Sequence, residues 1–191
     1  MRSILTTFAF FIFTSALLAQ DDVFSNKTNL ALEKVVKDFP NRFHNIKGDI
    51  IVQHAETVEY KSTIQVPGAS SCIVTKHIVS NTDSYSWSCT AFVTRDFNVA
   101  KNKYKEIFEE IANTIIKVDG QKPFIISGQY RNPIEDRKLT AVLFELLPAV
   151  GEMKKLKIEL DLQYVVSEWK VTLNVYDSDH KEDQATASNT N

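Results

Sequence analysis

A chain of 191 residues with 22 basic and 24 acidic side chains carries a formal net charge of −2. That balance leaves no broad cationic surface for neutralising the phosphates of a nucleic acid, while the length suffices for one good core. Five glycines build no glycine-rich phosphate loop, and neither a Gly-x-Ser-x-Gly elbow nor a His-Glu-x-x-His pair occurs.

The first residues read as an export signal. Met1-Arg2-Ser3 supplies a positive start, Ile4 to Leu18 is an apolar run interrupted by Thr6, Thr7, Thr14 and Ser15, and Ala19 is a small residue at the expected cut before Gln20. The run is too short and too hydroxylated to cross a bilayer, which takes about 20 apolar residues. Residues 1–19 are therefore expected to be removed, leaving a periplasmic or extracellular chain without a transmembrane segment. Loss of Arg2 takes the net charge from −2 to −3.

After the leader, Asn26 to Phe39 has helical spacing, with Leu32, Val35, Val36 and Phe39 on one face and Pro40 ending it. The stretch NRFHNIKG is irregular. Thr57 to Val66 alternates as a half-buried strand and Pro67-Gly68 turns it. Strands follow over Ser71–Val79 and Tyr85–Thr94. A second helix carries the stripe Ala100, Tyr104, Ile107, Phe108, Ile111 and Ile115, with Asp96 or Asn98 as its cap and Asp119-Gly120 as its end. Three more strands are expected. Lys138–Leu147, apolar on both faces, reads as central; Leu156–Tyr164 and Trp169–Val175 form a hairpin turning at Val166-Ser167-Glu168. The polar end, residues 178–191, has too little to bury and is expected to be disordered.

These elements define an α+β fold for residues 20–177: one antiparallel sheet of about six strands with two helices packed on one face. Short matches suggest a duplicated helix-plus-three-strand unit. Trp87, Thr90 and Val93 align with Trp169, Thr172 and Val175 at an offset of 82, and Pro67 with Pro148 at 81.

Cys72 and Cys89 fall opposite each other if the hairpin turns between Ser80 and Asn81, and both point inward, so in an oxidising compartment they form a disulfide. The histidines His44, His54, His77 and His180 lack the spacing of a zinc site, and no metal or cofactor is expected. The segment Gly128–Lys138 is the candidate binding loop, with Tyr130, Arg131 and Asn132 as its recognition residues. No set of residues declares itself catalytic. The sequence favours a non-enzymatic secreted or cell-envelope module that binds a ligand or protein; the alternative is a secreted hydrolase without a motif.

Overall fold

The computed structural model describes residues 27–79, 82–118 and 120–178. The expected cleavage point at Ala19 and Gln20, and the polar tail beyond Ser178, lie outside the described residues. Helix α1 (Lys27–Asp38) runs into two 3₁₀ turns, Phe39–Asn41 and His44–Ile46. A meander follows: β1 (Lys47–Gln53), β2 (Thr57–Ser62), β3 (Ser71–Val79) and β4 (Thr82–Thr94). Helix α2 (Phe97–Ile111) leads into β5 (Ile115–Ile116), β6 (Phe124–Gly128), β7 (Leu139–Leu147), β8 (Leu156–Val165) and β9 (Glu168–Asp177).

All nine strands belong to one antiparallel sheet in the order β1-β2-β3-β4-β9-β8-β7-β6-β5. The two meanders meet where the last strand of each pairs, Trp87 opposite Val175 and Cys89 opposite Leu173, with a bulge between Thr90 and Phe92. Side chains alternate across a sheet, so directly opposed residues share a face. One face holds Val74, Trp87, Cys89, Val175, Leu173, Leu160, Val142, Phe144 and Ile126, all buried. Helix α2 lies on that face: Phe108 stacks on Phe144 at 5.5 Å between ring centroids, and Phe97 packs on Trp169 at 4.9 Å.

The expectation of six strands beneath two helices on one face is overturned. The sheet has nine strands, and the helices are two short elements; α2 touches β4, β8 and β9, while α1 makes its main contacts with α2 and the two 3₁₀ turns. Three strands escaped the sequence reading for physical reasons. The register between β1 and β2 shifts twice, so β1 does not alternate. Strand β5 is two residues long and β6 five. The duplicated helix-plus-three-strand unit falls with this count, since α1 is followed by four strands and α2 by five. Trp87 and Trp169 are both buried, but in unlike settings: the Trp87 indole Nε1 donates to Ser62 Oγ at 3.0 Å, while Trp169 sits among aromatic rings.

Helix α2 begins as its sequence dictates, the Asp96 carboxylate accepting from the amides of Asn98 at 2.8 Å and Val99 at 3.1 Å. It stops at Ile111 rather than near Gly120. Ala112 turns extended and Asn113 enters the left-handed region at φ 65°, which asparagine tolerates better than most residues. Ile115, at helical spacing from Ile111, is therefore an exposed strand residue. Strand β7 lies between β6 and β8, but only one of its faces is buried; Leu139, Leu143 and Leu147 on the other are exposed.

The connection from α1 is organised by one buried carboxylate. Asp38 accepts from the amides of Asn45 (2.9 Å) and Ile46 (3.2 Å) and from the side chains of Asn41 (3.2 Å) and Asn45 (2.6 Å). Those bonds hold a reversal in which Arg42 and Phe43 both have positive φ. The disulfide forms between Cys72 and Cys89, directly opposed in β3 and β4 with Cα atoms 4.0 Å apart. In the chain-entropy picture, closing a loop of this size contributes about 3 kcal/mol.

The β8–β9 hairpin turns on Val166 and Ser167, with φ of 50° and 67°. Two positive φ values match the right-handed twist of a hairpin, but asparagine and glycine suit them, not a β-branched residue. Val166 is 88% exposed and has little packing to offset that conformation. Val166→Asn should raise stability by about 1 kcal/mol, read as a higher midpoint in urea; a lower midpoint would mean that the valine side chain holds the hairpin.

Candidate functional site

Three regions could meet a ligand: the outer face of the sheet, the loop between β6 and β7, and a shallow groove beside α1. The outer face has two unlike zones. At its centre, cross-strand polar side chains are bonded to one another. Ser88 Oγ donates to Asn174 Oδ1 at 2.7 Å, and Asn174 Nδ2 donates to Asp161 Oδ2 at 2.9 Å. The Tyr176 hydroxyl donates to a Glu159 carboxylate oxygen. His77 Nε2 and Ser86 Oγ lie 3.2 Å apart. These bonds cross β3, β4, β9 and β8 and tie the register together from the side away from the core.

Toward the β5 edge the same face becomes apolar. Ile115 is paired with Ile125, and Ile125 with Leu147, so three large side chains form one row across β5, β6 and β7. They are 57%, 46% and 45% exposed. Leu143 and Leu139 are also exposed at the same parity farther along β7, with Glu145 standing between Leu143 and Leu147. Scattered exposed leucines are ordinary; a contiguous set on a flat strand surface marks a contact surface. Lys157 and Glu145, an ion pair at 3.5 Å, stand where the polar and apolar zones meet.

In the loop after β6, Tyr130 is half-buried. Its ring packs against Phe108 (centroids 5.1 Å) and Tyr104 (6.0 Å) of α2. Just before Tyr130, Gly128 lets the backbone of β6 lie against the Phe144 ring, which a Cβ there would overlap. Pro133 is buried beside it, whereas Arg131 and Asn132 are exposed. The loop ends at Lys138, whose ammonium lies 4.7 Å from the centre of the Tyr164 ring and 5.5 Å from that of Trp169. Tyr130 is thus an anchor that fixes the loop, and the structure brings Arg131 and Asn132 to the surface next to it.

The groove beside α1 is lined by Leu30, Ala31, Lys34, Thr63, Ile64 and Gln65, a mixed and open surface. Among the described residues no three His, Cys, Asp or Glu side chains gather closely enough to hold a metal ion, and no helix is long and apolar enough to cross a membrane. The contact between His77 and Ser86 has the partners of a nucleophile and a base. Ser86, however, is paired with Thr75 on one side and with Tyr176 on the other. Backbone amides of a strand laddered on both sides point along the sheet, not at a developing oxyanion above it.

No family model, no curated protein and no solved structure matches the chain. The site is therefore read from its own chemistry.

One buried group stands out beneath the loop. Tyr104 is fully buried, and its hydroxyl meets no hydrogen-bond partner among the described residues. Burial, reinforced by the neighbouring Tyr130, holds its ionisation well above the usual tyrosine range. Tyr130 shifts the same way, through burial and then the charge of Glu109. Because these folded-state values are raised, the stabilisation is complete below the unfolded tyrosine pKa of about 10 and is lost as pH climbs beyond it. Tyr104→Phe removes an unpaired buried hydroxyl, so at pH 7 it should leave stability within about 1 kcal/mol of the parent or higher. Its urea midpoint should then fall less steeply than the parent's between pH 9 and pH 11 (roughly one unit either side of the unfolded tyrosine pKa). Parallel falls would show that Tyr104 does not carry the alkaline sensitivity.

Proposed function

We propose that this chain is an exported, non-enzymatic binding module that meets a protein partner across the outer face of its sheet. The observation that carries the reading is the exposed row Ile115–Ile125–Leu147, with Leu143 and Leu139 exposed on the same face of β7 beyond Glu145. A flat, apolar strand surface bordered by polar and charged side chains has the anatomy of a protein contact, with an apolar centre and a polar rim. A small apolar ligand would call instead for a concave pocket closing over most of its surface. Arg131 and Asn132, held by the Tyr130 anchor, offer further polar contacts on the β6–β7 loop.

Export rests on the leader before Gln20 and agrees with the Cys72–Cys89 disulfide, since such bonds persist in oxidising compartments. N-terminal sequencing of the exported form should start at Gln20; a chain still beginning at Met1 and held in the membrane would remove this part of the reading.

The hydrolase alternative has one observation behind it, the contact of His77 with Ser86. It lacks positioned oxyanion donors, because the strand amides around Ser86 serve the ladders on both sides.

The binding surface can be tested in the producing cell. A photo-reactive phenylalanine analogue placed at Ile125 should yield a discrete covalent adduct on irradiation. The same analogue at Asn102, exposed on α2, should not, and adding Leu143→Glu should abolish the adduct at Ile125. Identical adducts at both positions, or none at Ile125, would reject the outer face as the contact surface.

A further inference from the structure

The two edges of the sheet are not alike. The β5 edge is two residues long, a length too short to template another strand. The β1 edge is seven residues, Lys47–Gln53, and its ladder to β2 uses only one side of the strand. Sheet edges of this length are ordinarily guarded by a lysine, a proline or an inward charge in mid-strand, or by a bulge; β1 has the bulge but no such side chain at its middle. The middle of β1 instead holds Ile50-Ile51-Val52, with Ile50 57% and Ile51 53% exposed. Between Ile50 and Val52 the register advances two residues on β1 for one on β2. That bulge breaks the alternation that would otherwise bury one of the two isoleucines.

We propose that β1 is the contact edge of a homodimer, two copies pairing β1 to β1 antiparallel about a two-fold axis at Ile51. The occupant is argued from the strand's own sequence. Asp49-Ile50-Ile51-Val52-Gln53 reads the same way from either end: polar, apolar, apolar, apolar, polar. A two-fold edge pairing requires self-complementarity, because each residue meets its mirror position. Centred on Ile51, the pairing sets Ile51 against Ile51, Ile50 against Val52, and the Asp49 carboxylate against the Gln53 amide. A slip of one residue either way sets an apolar side chain against Asp49 or Gln53. The match is thus specific to one register. The unpaired N–H and C=O groups of β1 then find partners and the two sheets become one. This edge lies at the opposite end of the sheet from the apolar row on β5–β7, so dimerisation leaves that face open.

The centre of the pairing can be trapped. Of the positions in β1, Ile51 is the one whose Cβ faces its own copy. Ile51→Cys should give a disulfide-linked dimer under mild oxidation, whereas Gln53→Cys, set off from its copy by several residue spacings, should not. In solution the parent should sediment as a dimer. Ile51→Lys, which places two like charges on the axis, should weaken association at least about tenfold while keeping the fold, read as an unchanged circular-dichroism spectrum, since Ile51 is exposed and lies outside the core cluster; its melting temperature should lose the parent's dependence on protein concentration. The inference is overturned if the parent is a monomer up to high protein concentration, if Ile51→Lys dimerises as tightly as the parent, or if the two cysteine variants cross-link equally. An edge kept free for an extended peptide of another protein would give the first of these results.

Discussion

The pairing of β4 with β9 is the constraint on which the rest of the structure depends. Each meander is local, but this junction joins residues such as Trp87 and Val175 across nearly half of the chain. Side chains alternate with a period of two, so a slip of one residue there would turn the core of one meander outward. Several independent features oppose a slip. On the core side, Trp87 and Cys89 of β4 are buried against Val175 and Leu173 of β9, and the indole bond to Ser62 and the disulfide to Cys72 hold β4 to the first meander. On the outer side, Ser88, Asn174 and Asp161 are linked in a line across three strands. A polar ladder facing solvent adds little net energy per bond, about 1 kcal/mol, yet it distinguishes the correct register from its neighbours.

Sequence patterning carries information about this fold where one face of a strand is buried and the other is polar. Strands β2, β3, β4, β8 and β9 meet that condition, and the opposition of Cys72 to Cys89 followed from parity and turn position alone. The same logic failed where the outer face is apolar. Leu139, Leu143 and Leu147 gave β7 the look of a strand buried on both sides, although they are exposed. Ile115 happened to extend the helical stripe of α2, so the helix was drawn past the point where Asn113 ends it. The apparent repeat around Trp87 and Trp169 came from two strands with similar alternation, not from equivalent surroundings. For β7 and for Ile115 an apolar residue does not mean burial, because hydrophobicity inside is a one-way rule.

The functional surface was harder to read for a related reason. Ile115, Ile125 and Leu147 are neighbours only because β5, β6 and β7 pair in one register; nothing in their sequence spacing joins them. The β6–β7 loop was legible as a candidate through its mix of Tyr130, Arg131 and Asn132, but composition could not separate the anchor from the displayed residues. That distinction needed Phe108 and Tyr104 beneath the ring. Gly128 is the one glycine in this stretch, and the ring its backbone approaches, Phe144, is sixteen residues away on β7.

The division of labour between the faces of the sheet explains why the apolar row persists. Helix α2 packs on the buried face, where Phe108 and Phe97 meet the sheet. A single layer of helix can cover one face of an antiparallel sheet; the other is left to water. Water is well served in the centre, where Ser88, Asn174, Glu159 and Tyr176 lie. It is poorly served along β7, where Leu139, Leu143 and Leu147 could be replaced by polar residues without touching the core, because their inward neighbours Val142, Phe144 and Leu146 carry the packing. Their exposed position therefore has no explanation in the stability of the monomer. A partner that removes this row from water supplies one, since each large side chain so buried contributes on the order of 1.5–3 kcal/mol to the association, before the cost of immobilising the two proteins.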